Sequence, residues 1–221
     1  LLQWLGGIGI IAMAIAILPM LQVGGMQLFR TESSDRSDKV IPRAAQLITF
    51  IGFIYLGITL LCALAYWLAG MTGFEAVAHS MTTIATGGFS TSDQSVGRFA
   101  SPAVDAIGVI FMLLGSLPFV LYLRALRGNP GALWRDSQVR WFLIVTGIAV
   151  LSMTVYLIMR LDLGIGAAFQ MASFNVVSII TGTGYATADF GLWGAFALTL
   201  LLFLMFVGGC AGSTTCGIKV F

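Results

Sequence analysis

Two stretches carry the residues whose types and spacing could do chemistry: HSMTTIATGGFSTSD at 79–93 and NVVSIITGTGYATAD at 175–189. In each, an apolar run ends in threonine and glycine, followed by an aromatic residue, small hydroxyl residues and an aspartate. Glycine lets several backbone carbonyls point toward one axis, because it has no Cβ to clash. A ring of such carbonyls can replace the hydration shell of a cation. The pattern predicts a pair of cation-coordinating loops.

We call residues 86–91 the first glycine loop and residues 181–187 the second glycine loop. Aligned on the aromatic residue, each offers four candidate ligand residues, with backbone carbonyls and, at the threonines, hydroxyl oxygens. They are Thr86, Gly87, Gly88, Phe89, Gly182, Thr183, Gly184 and Tyr185. The Gly-Tyr pair of the second loop matches that of the potassium-channel TVGYG loop, and the Gly-Phe pair of the first matches it more loosely. Either loop alone is equally consistent with a surface turn, because threonine–glycine pairs are common in turns.

A short apolar run precedes each loop and predicts a helix, at 74–85 and at 167–180. Runs of 12 and 14 residues reach roughly 20 Å as helices, against roughly 30 Å for the hydrocarbon core. Non-helical backbone at membrane depth is tolerated only where protein buries it or water lines it. A half-length helix followed by glycines is therefore typical of a re-entrant pore helix and its selectivity filter. The partly negative C-terminal ends of both helices would also favour a cation.

The composition identifies an integral membrane protein and excludes several other classes. The chain is 58% hydrophobic and 9% charged, whereas soluble domains have about 25% charged residues. Its formal net charge of +2 gives no indication of a nucleic-acid partner. Cys62, Cys210 and Cys216 lie in apolar or small-residue runs and form neither a disulfide framework nor a metal site. No acid–base pair, metal set or activated nucleophile is present, so we do not expect an enzyme.

Five apolar runs predict spans at 1–29, 46–69, 103–123, 141–159 and 192–207, and Pro118 is expected to bend the third. Eight of the eleven Lys and Arg residues lie in the loops 30–43 and 124–140. The positive-inside rule places these loops in the cytoplasm. Both glycine loops then open to the outside, provided that each short helix enters and leaves on the same side.

The predicted fold is an all-α polytopic membrane protein with repeated span, re-entrant pore helix and span units around a central pore. Residues 1–29 would close a first unit, residues 46–123 would form a second, and residues 141–221 a third. The glycine loops are 96 positions apart and both copies have the same orientation, as in parallel repeats. Because the chain starts inside one apolar run and stops just beyond another, we interpret it as a segment of a longer protein.

Four motifs in order resemble the membrane subunit of the Trk potassium-uptake system, in the Trk/Ktr/HKT superfamily. They are QWLGGIGIIAMAIAILPML, TIATGGFSTSD, FNVVSIITGTGYATADF and GGCAGSTTCGIK, and they cover essentially the whole chain. The resemblance implies four units around one pore, with potassium as the transported ion and no covalently bound cofactor. It also implies a homodimer in the lipid bilayer of a bacterial cytoplasmic (inner) membrane, with a cytoplasmic nucleotide-binding regulatory subunit.

The apolar pattern of the last span ends about 24 Å below its start, and ten uncharged small residues follow. They are Gly208, Gly209, Cys210, Ala211, Gly212, Ser213, Thr214, Thr215, Cys216 and Gly217. The resemblance makes this 208–217 segment an intramembrane gate loop, and the alternative is a cytoplasmic turn. The family usually reads GSTGGGIK where this chain reads GSTTCGIK. Threonine and cysteine thus replace two glycines, which bears on the flexibility of the loop.

The sequence therefore predicts potassium uptake through a carbonyl-lined filter, either passive or as symport with protons or sodium. The alternative is a secondary transporter of a small organic or anionic substrate, built from broken helices. Such a carrier should aim helix N-termini or an arginine at its site, whereas here the helix C-termini point at the glycine loops. Among the other polar residues, His79 is expected to pack or cap rather than to bind an ion. Asp105 is expected to be an interfacial carboxylate.

Overall fold

The computed structural model describes residues 1–21 and 40–220, with the side-chain surroundings of residues 1–13 and 46–219. The described chain is mostly helical, and two short strands lie near its end. The helices are α1 Leu2–Leu21, α2 Val40–Leu68, α3 Gly73–Ile84, α4 Pro102–Gly115, α5 Phe119–Leu126, α6 Ala132–Arg135, α7 Ser137–Leu161, α8 Ile165–Ile180 and α9 Ala195–Phe206. The strands are β1 Val207–Cys210 and β2 Ile218–Val220, and 3₁₀ turns occupy Ser95–Phe99 and Phe190–Trp193.

Two described helices are long and apolar enough to cross a membrane, Gln46–Leu68 within α2 and Ser137–Leu161. A third span exists if the bent pair α4 and α5 is counted as one, with 91° between its halves. The bend predicted at Pro118 is thus confirmed. Proline sits between the halves because it has no N–H to continue a helix. The end of the predicted span 1–29 and most of the basic loop 30–43 lie outside the described residues.

The two predicted short helices overlap α3 and α8, which have 12 and 16 residues. Helix α3 packs mainly against α2, and α8 packs mainly against α7. In each half of the chain, a long helix leads to a short helix, a glycine loop, a 3₁₀ turn and a further helix. Large apolar side chains on α2 and α7, such as Phe53 and Leu151, are more than 60% exposed. Such surfaces suit a lipid environment.

The expectation of an all-α chain misses the pair of strands at its end. β1 and β2 pair in parallel, with Val207 opposite Ile218. The 208–217 segment begins within β1 and ends just before β2. Its small residues prevent α9 from continuing. Glycine disfavours a helix interior by about 1 kcal/mol relative to alanine. Gly212 and Gly217 also have φ +77° and +90°, outside the helical range, so no helix resumes within the segment.

Candidate ion-coordination site

Helix α3 is capped at its first turn, and its last turn leads directly into the first glycine loop. Thr72 caps it: the Thr72 hydroxyl accepts a hydrogen bond from the Glu75 N–H, and the Glu75 carboxylate accepts one from the Thr72 N–H. This capping box satisfies two of the free N–H groups at a helix start. At the other end, Thr86 has φ +48°, and the Gly87 N–H donates to the Thr82 carbonyl, 2.8 Å away. The first glycine loop therefore starts directly at the helix C-terminus.

The two glycine loops share an alternating backbone conformation. Positive φ values occur at Thr86 (48°) and Gly88 (69°) in the first loop, and at Gly182 (69°) and Gly184 (85°) in the second. Thr86 and Gly182 are 96 positions apart, and so are Gly88 and Gly184. This is the spacing that the sequence predicted for the loops. A threonine in the left-handed region is strained, and Thr86 occupies the place of a glycine in the other copy. The repeat thus persists in the backbone where the residue type differs.

The same side-chain bonds also hold both loops against their own short helices. The Thr82 hydroxyl donates to the Phe89 carbonyl at 2.8 Å, and the Ser178 hydroxyl donates to the Tyr185 carbonyl at 2.6 Å. Donors and acceptors are again 96 positions apart in the two copies. These two carbonyls are therefore tied to the helices that precede them.

A second pair of equivalent residues, His79 and Asn175, links each short helix to the end of its loop. Each lies within 2.8 Å of the carbonyl four residues earlier, Glu75 for the histidine and Met171 for the asparagine. Each also bonds a hydroxyl near the end of its loop, with His79 Nε2 2.9 Å from the Ser90 hydroxyl and Asn175 Nδ2 2.9 Å from the Thr187 hydroxyl. Both ring nitrogens of the histidine are occupied in this way. This agrees with the expectation that it packs and caps.

The glycine loops lie in direct contact. A Cβ added to Gly88 would come within 1.9 Å of the Thr183 carbonyl oxygen, so only glycine fits beside the second loop. Further along, the Gly97 N–H donates to the Ala186 carbonyl at 3.1 Å. The structure thus brings together the two sets of candidate ligands that sequence analysis placed 96 positions apart.

Of the eight candidate ligand residues, five have a carbonyl with no hydrogen-bond partner among the described residues. They are Thr86, Gly88, Gly182, Thr183 and Gly184. The Gly87 carbonyl instead accepts a bond from Gln3 Nε2 of α1, at 3.1 Å. The hydroxyls proposed as extra ligands also bond within the protein, that of Thr86 as donor to two carbonyls and that of Thr183 with the Thr181 hydroxyl at 2.8 Å. The candidate ligands that remain are therefore these five backbone carbonyls, with the lone pairs of the two hydroxyl oxygens beside them.

The 208–217 segment docks into the break between α4 and α5. The Cys210 N–H donates to the Ser116 carbonyl at 3.1 Å, and the Phe119 N–H donates to the Gly212 carbonyl at 3.1 Å. The broken ends of two helices thus satisfy each other's backbone groups, which water cannot reach in a membrane interior. Most of the segment is buried, and only Cys216 and Gly217 are exposed.

Thr214 joins this segment to the end of α3. Its hydroxyl lies 2.9 Å from the Ile84 carbonyl and 3.0 Å from the Gly115 carbonyl, and shares its one proton between them. The Thr86 hydroxyl donates in turn to the Thr214 carbonyl at 3.1 Å. The segment therefore lies against the first glycine loop.

Thr215 and Cys216, which the resemblance sets against two glycines of the family, behave differently. The Thr215 hydroxyl accepts a bond from the Gly209 N–H at 3.1 Å and pairs with the Ser213 hydroxyl at 2.8 Å. The Lys219 ammonium also donates to the Thr215 carbonyl. Cys216 is exposed and forms no disulfide bond. The threonine thus ties the two sides of the segment together, and the cysteine does not.

Sequence reasoning missed four residues that position the loops. Gln3, Thr82 and Ser178 bind loop carbonyls, and Ser116 receives the 208–217 segment. A signal for two of them was present, because the 96-residue register pairs a hydroxyl at 82 with a hydroxyl at 178. Gln3 gave no such signal, since it contacts the loop from a helix 84 positions away.

The fold and the paired loops define a helical membrane protein with two glycine loops of matching backbone conformation, and known proteins place it more narrowly. A family model described as TrkH, a cation transport protein, matches residues 1–221. The Trk system potassium uptake protein TrkI of Halomonas elongata is 51% identical over 224 residues, covering 100% of this chain and 45% of the relative. The TrkH protein of Escherichia coli K12 is 42% identical, covering 100% and 46%.

The fold agrees with these relatives. The crystal structure of the potassium transporter TrkH from Vibrio parahaemolyticus matches with a TM-score of 0.86 and 41% identity, over 99% of this chain and 45% of that chain. The chain belongs to the TrkH family of cation transport proteins. It spans about 45% of the length of the curated relatives that it matches.

Proposed function

We propose that this chain forms part of a potassium-uptake pore, in which the two glycine loops are two strands of the selectivity filter. One observation carries the proposal: two loops 96 positions apart share a backbone conformation and touch at Gly88 and Thr183, and five of their eight candidate ligand carbonyls are unpaired among the described residues. Stripping water from a cation requires such unpaired oxygens, held in place by other groups. The Trk system potassium uptake proteins named above support potassium as the ion.

Helix polarity favours a cation over the alternative substrate. Helices α3 and α8 end at Ile84 and Ile180, immediately before the glycine loops. Their C-terminal carbonyls give this side a partial negative charge, which attracts cations and repels anions. A carrier of an organic anion would need the opposite helix ends, so the secondary-transporter alternative is not favoured.

The 208–217 segment is proposed as the gate beneath this filter. It occupies the break between α4 and α5 and is bonded through Thr214 to the end of α3. A segment held by a small set of hydrogen bonds can have a closed and an open arrangement. Opening would require loss of the contacts that Thr214 and Thr215 make, because these join the segment to its surroundings and to itself.

The remaining parts of the proposal concern the surroundings of the pore. The glycine loops face the outside of a bacterial cytoplasmic membrane, because the basic loop around Arg124 and Arg135 belongs in the cytoplasm. The subunit works as a homodimer with a cytoplasmic nucleotide-binding regulatory subunit. Potassium moves alone or by symport with protons or sodium. These statements rest on the charge pattern and on the family.

Ion uptake by the full-length protein tests the proposal. The protein would be produced in cells that lack their own potassium uptake, and uptake of potassium, rubidium and sodium would be compared. We expect potassium and rubidium to enter in preference to sodium. A well-inserted protein that moves no potassium, or that takes up an organic anion instead, would overturn the proposal.

A further inference from the structure

The side chain of Tyr185 crosses from the second glycine loop into the other half of the chain. Its ring is fully buried, and its hydroxyl lies among three groups of α3. It is 2.5 Å from the Thr82 hydroxyl, 3.1 Å from the His79 carbonyl and 3.3 Å from the Thr83 hydroxyl. The Thr83 hydroxyl in turn lies 3.1 Å from the Tyr66 hydroxyl on α2. A buried hydroxyl network thus joins the two halves.

Counting protons gives this network a direction. Each hydroxyl has one proton to donate. If Thr82 donates to the Phe89 carbonyl, then the Thr82–Tyr185 bond needs the tyrosine proton. Tyr185 then accepts from Thr83, and Thr83 accepts from Tyr66. The result is a chain from the long helix α2 to a carbonyl of the first glycine loop, with one proton for each bond. The His79 carbonyl can share the tyrosine proton.

The equivalent position in the other copy shows that the hydroxyl serves the contact between loops. Phe89 stands where Tyr185 would be, has no hydroxyl, and is 69% exposed. Its own carbonyl is nevertheless held by Thr82, as that of Tyr185 is held by Ser178. A loop therefore keeps its place on its own helix without a phenol group. The phenol of Tyr185 is used between the two halves, where the loops face each other.

We infer that Tyr185, through Thr82, Thr83 and Tyr66, is a positioning residue that sets the separation of the two filter strands and thereby the preference for potassium over sodium. The inference rests on the proposed function. Sodium is the smaller ion, so its ligands must move inward to bind it. A brace that bonds one strand to the helix behind the other resists this movement. Loss of the brace lets the carbonyls adapt to sodium.

The test is the potassium-to-sodium uptake ratio of the full-length protein with Tyr185→Phe, which keeps the ring and removes the hydroxyl. We expect the ratio to fall about fivefold, the factor that corresponds to one typical hydrogen bond. Tyr156→Phe is the matched control. Within the described part of the chain its hydroxyl bonds only the Trp193 carbonyl, at 2.8 Å and outside the network, so the ratio should stay at the wild-type value.

Tyr66→Phe is the second variant, because it acts through the same chain from a helix outside the loops. It should lower the ratio less than Tyr185→Phe, and should lower it no further when both changes are combined, since coupled residues are non-additive. Thr83→Ser keeps a hydroxyl and should retain the wild-type ratio. A wild-type ratio in Tyr185→Phe, or additive effects of the two tyrosine changes, would overturn the inference. A wild-type protein that moves no potassium would instead overturn the proposed function.

Discussion

The hydroxyl of Thr86 donates a hydrogen bond to the carbonyl oxygen of Thr214, 3.1 Å away, across 128 positions of sequence. Thr86 is the first residue of the first glycine loop, and Thr214 lies in the 208–217 segment. The same bond helps to hold Thr86 in a left-handed conformation that threonine otherwise avoids. The candidate filter and the candidate gate are thus in direct contact. A movement of the segment must break or replace this bond.

Replacement of Thr214 by valine should open the gate. Valine keeps the branched shape but cannot bond the Ile84 and Gly115 carbonyls. Leaving buried acceptors unpaired costs about 1–3 kcal/mol, so the docked arrangement should lose most of its advantage. We expect a higher resting potassium flux in the full-length protein. Thr146→Val is the matched control, because that buried hydroxyl bonds only a carbonyl of its own helix. Equal fluxes in the two variants would contradict the prediction.

The residues that depart from the family's glycines should not behave alike. Thr215→Gly removes the hydroxyl that joins Gly209 to the other side of the segment, and it also adds backbone freedom. We expect it to shift gating toward the open state while the potassium-to-sodium ratio is retained. Thr215→Ser keeps the hydroxyl and should gate as wild type does. Cys216→Gly should change little, because its side chain is exposed. Flux recordings that rank Cys216→Gly above Thr215→Gly would refute this assignment.

Alanine should be far less tolerated at Gly88 than at Gly184. Both residues have positive φ, which costs a non-glycine residue roughly 1–2 kcal/mol. Only at Gly88 would the new Cβ also strike the opposite loop, 1.9 Å from the Thr183 carbonyl oxygen, while Gly184 has nothing within 4 Å. We expect Gly88→Ala to lower the potassium-to-sodium uptake ratio more strongly.

Gly147→Ala serves as the control for the glycine series, since it lies in α7 with open space around it. Alanine is the better helix former by about 1 kcal/mol, so uptake should be unchanged. If Gly88→Ala and Gly147→Ala have the same ratio at equal expression, the loops do not touch as described.

The direction in which the loops face can be measured by cysteine labelling. Cys62, Cys210 and Cys216 would first be replaced, and single cysteines introduced at the exposed positions Gln94 and Asn129. An impermeant thiol reagent added to intact cells should label position 94 and not position 129, which the positive-inside rule places in the cytoplasm. Labelling of position 129 and not of position 94 from outside would mean that α3 crosses the membrane, and would remove the re-entrant interpretation. Labelling of both positions from outside would mean that the α4–α5 pair does not cross.

Sequence reasoning reached the local features of the fold and not its long-range contacts. The spacing of 96 positions, the short helices and the bend at Pro118 are all visible in the chain itself, because apolar run length, glycine and proline act on neighbouring residues. The parallel strands were missed, since pairing of β1 with β2 depends on how the chain turns between them. A residue pattern does not predict the conformation of that turn directly.

The candidate site shows the same limit at the level of single groups. The composition of the loops indicated carbonyl ligands, but which carbonyls are open depends on donors from elsewhere. Gln3 occupies the Gly87 carbonyl from another helix, and Thr82 occupies that of Phe89. The side chain of Tyr185 was read as part of its own loop, whereas its hydroxyl belongs to the network on α3. Tertiary contacts of this kind produce no periodic pattern in the sequence, so the sequence does not predict them.

Direct observation of a bound ion tests the central claim most sharply. Crystals of the full-length protein would be grown in a rubidium or thallium salt, and the anomalous scattering of the heavy ion would be located. The account predicts a peak between the two glycine loops, at coordination distance from carbonyls of the group Thr86, Gly88, Gly182, Thr183 and Gly184. Ordered loops without a peak between them, or a peak only beside a carboxylate such as Asp105, would contradict it.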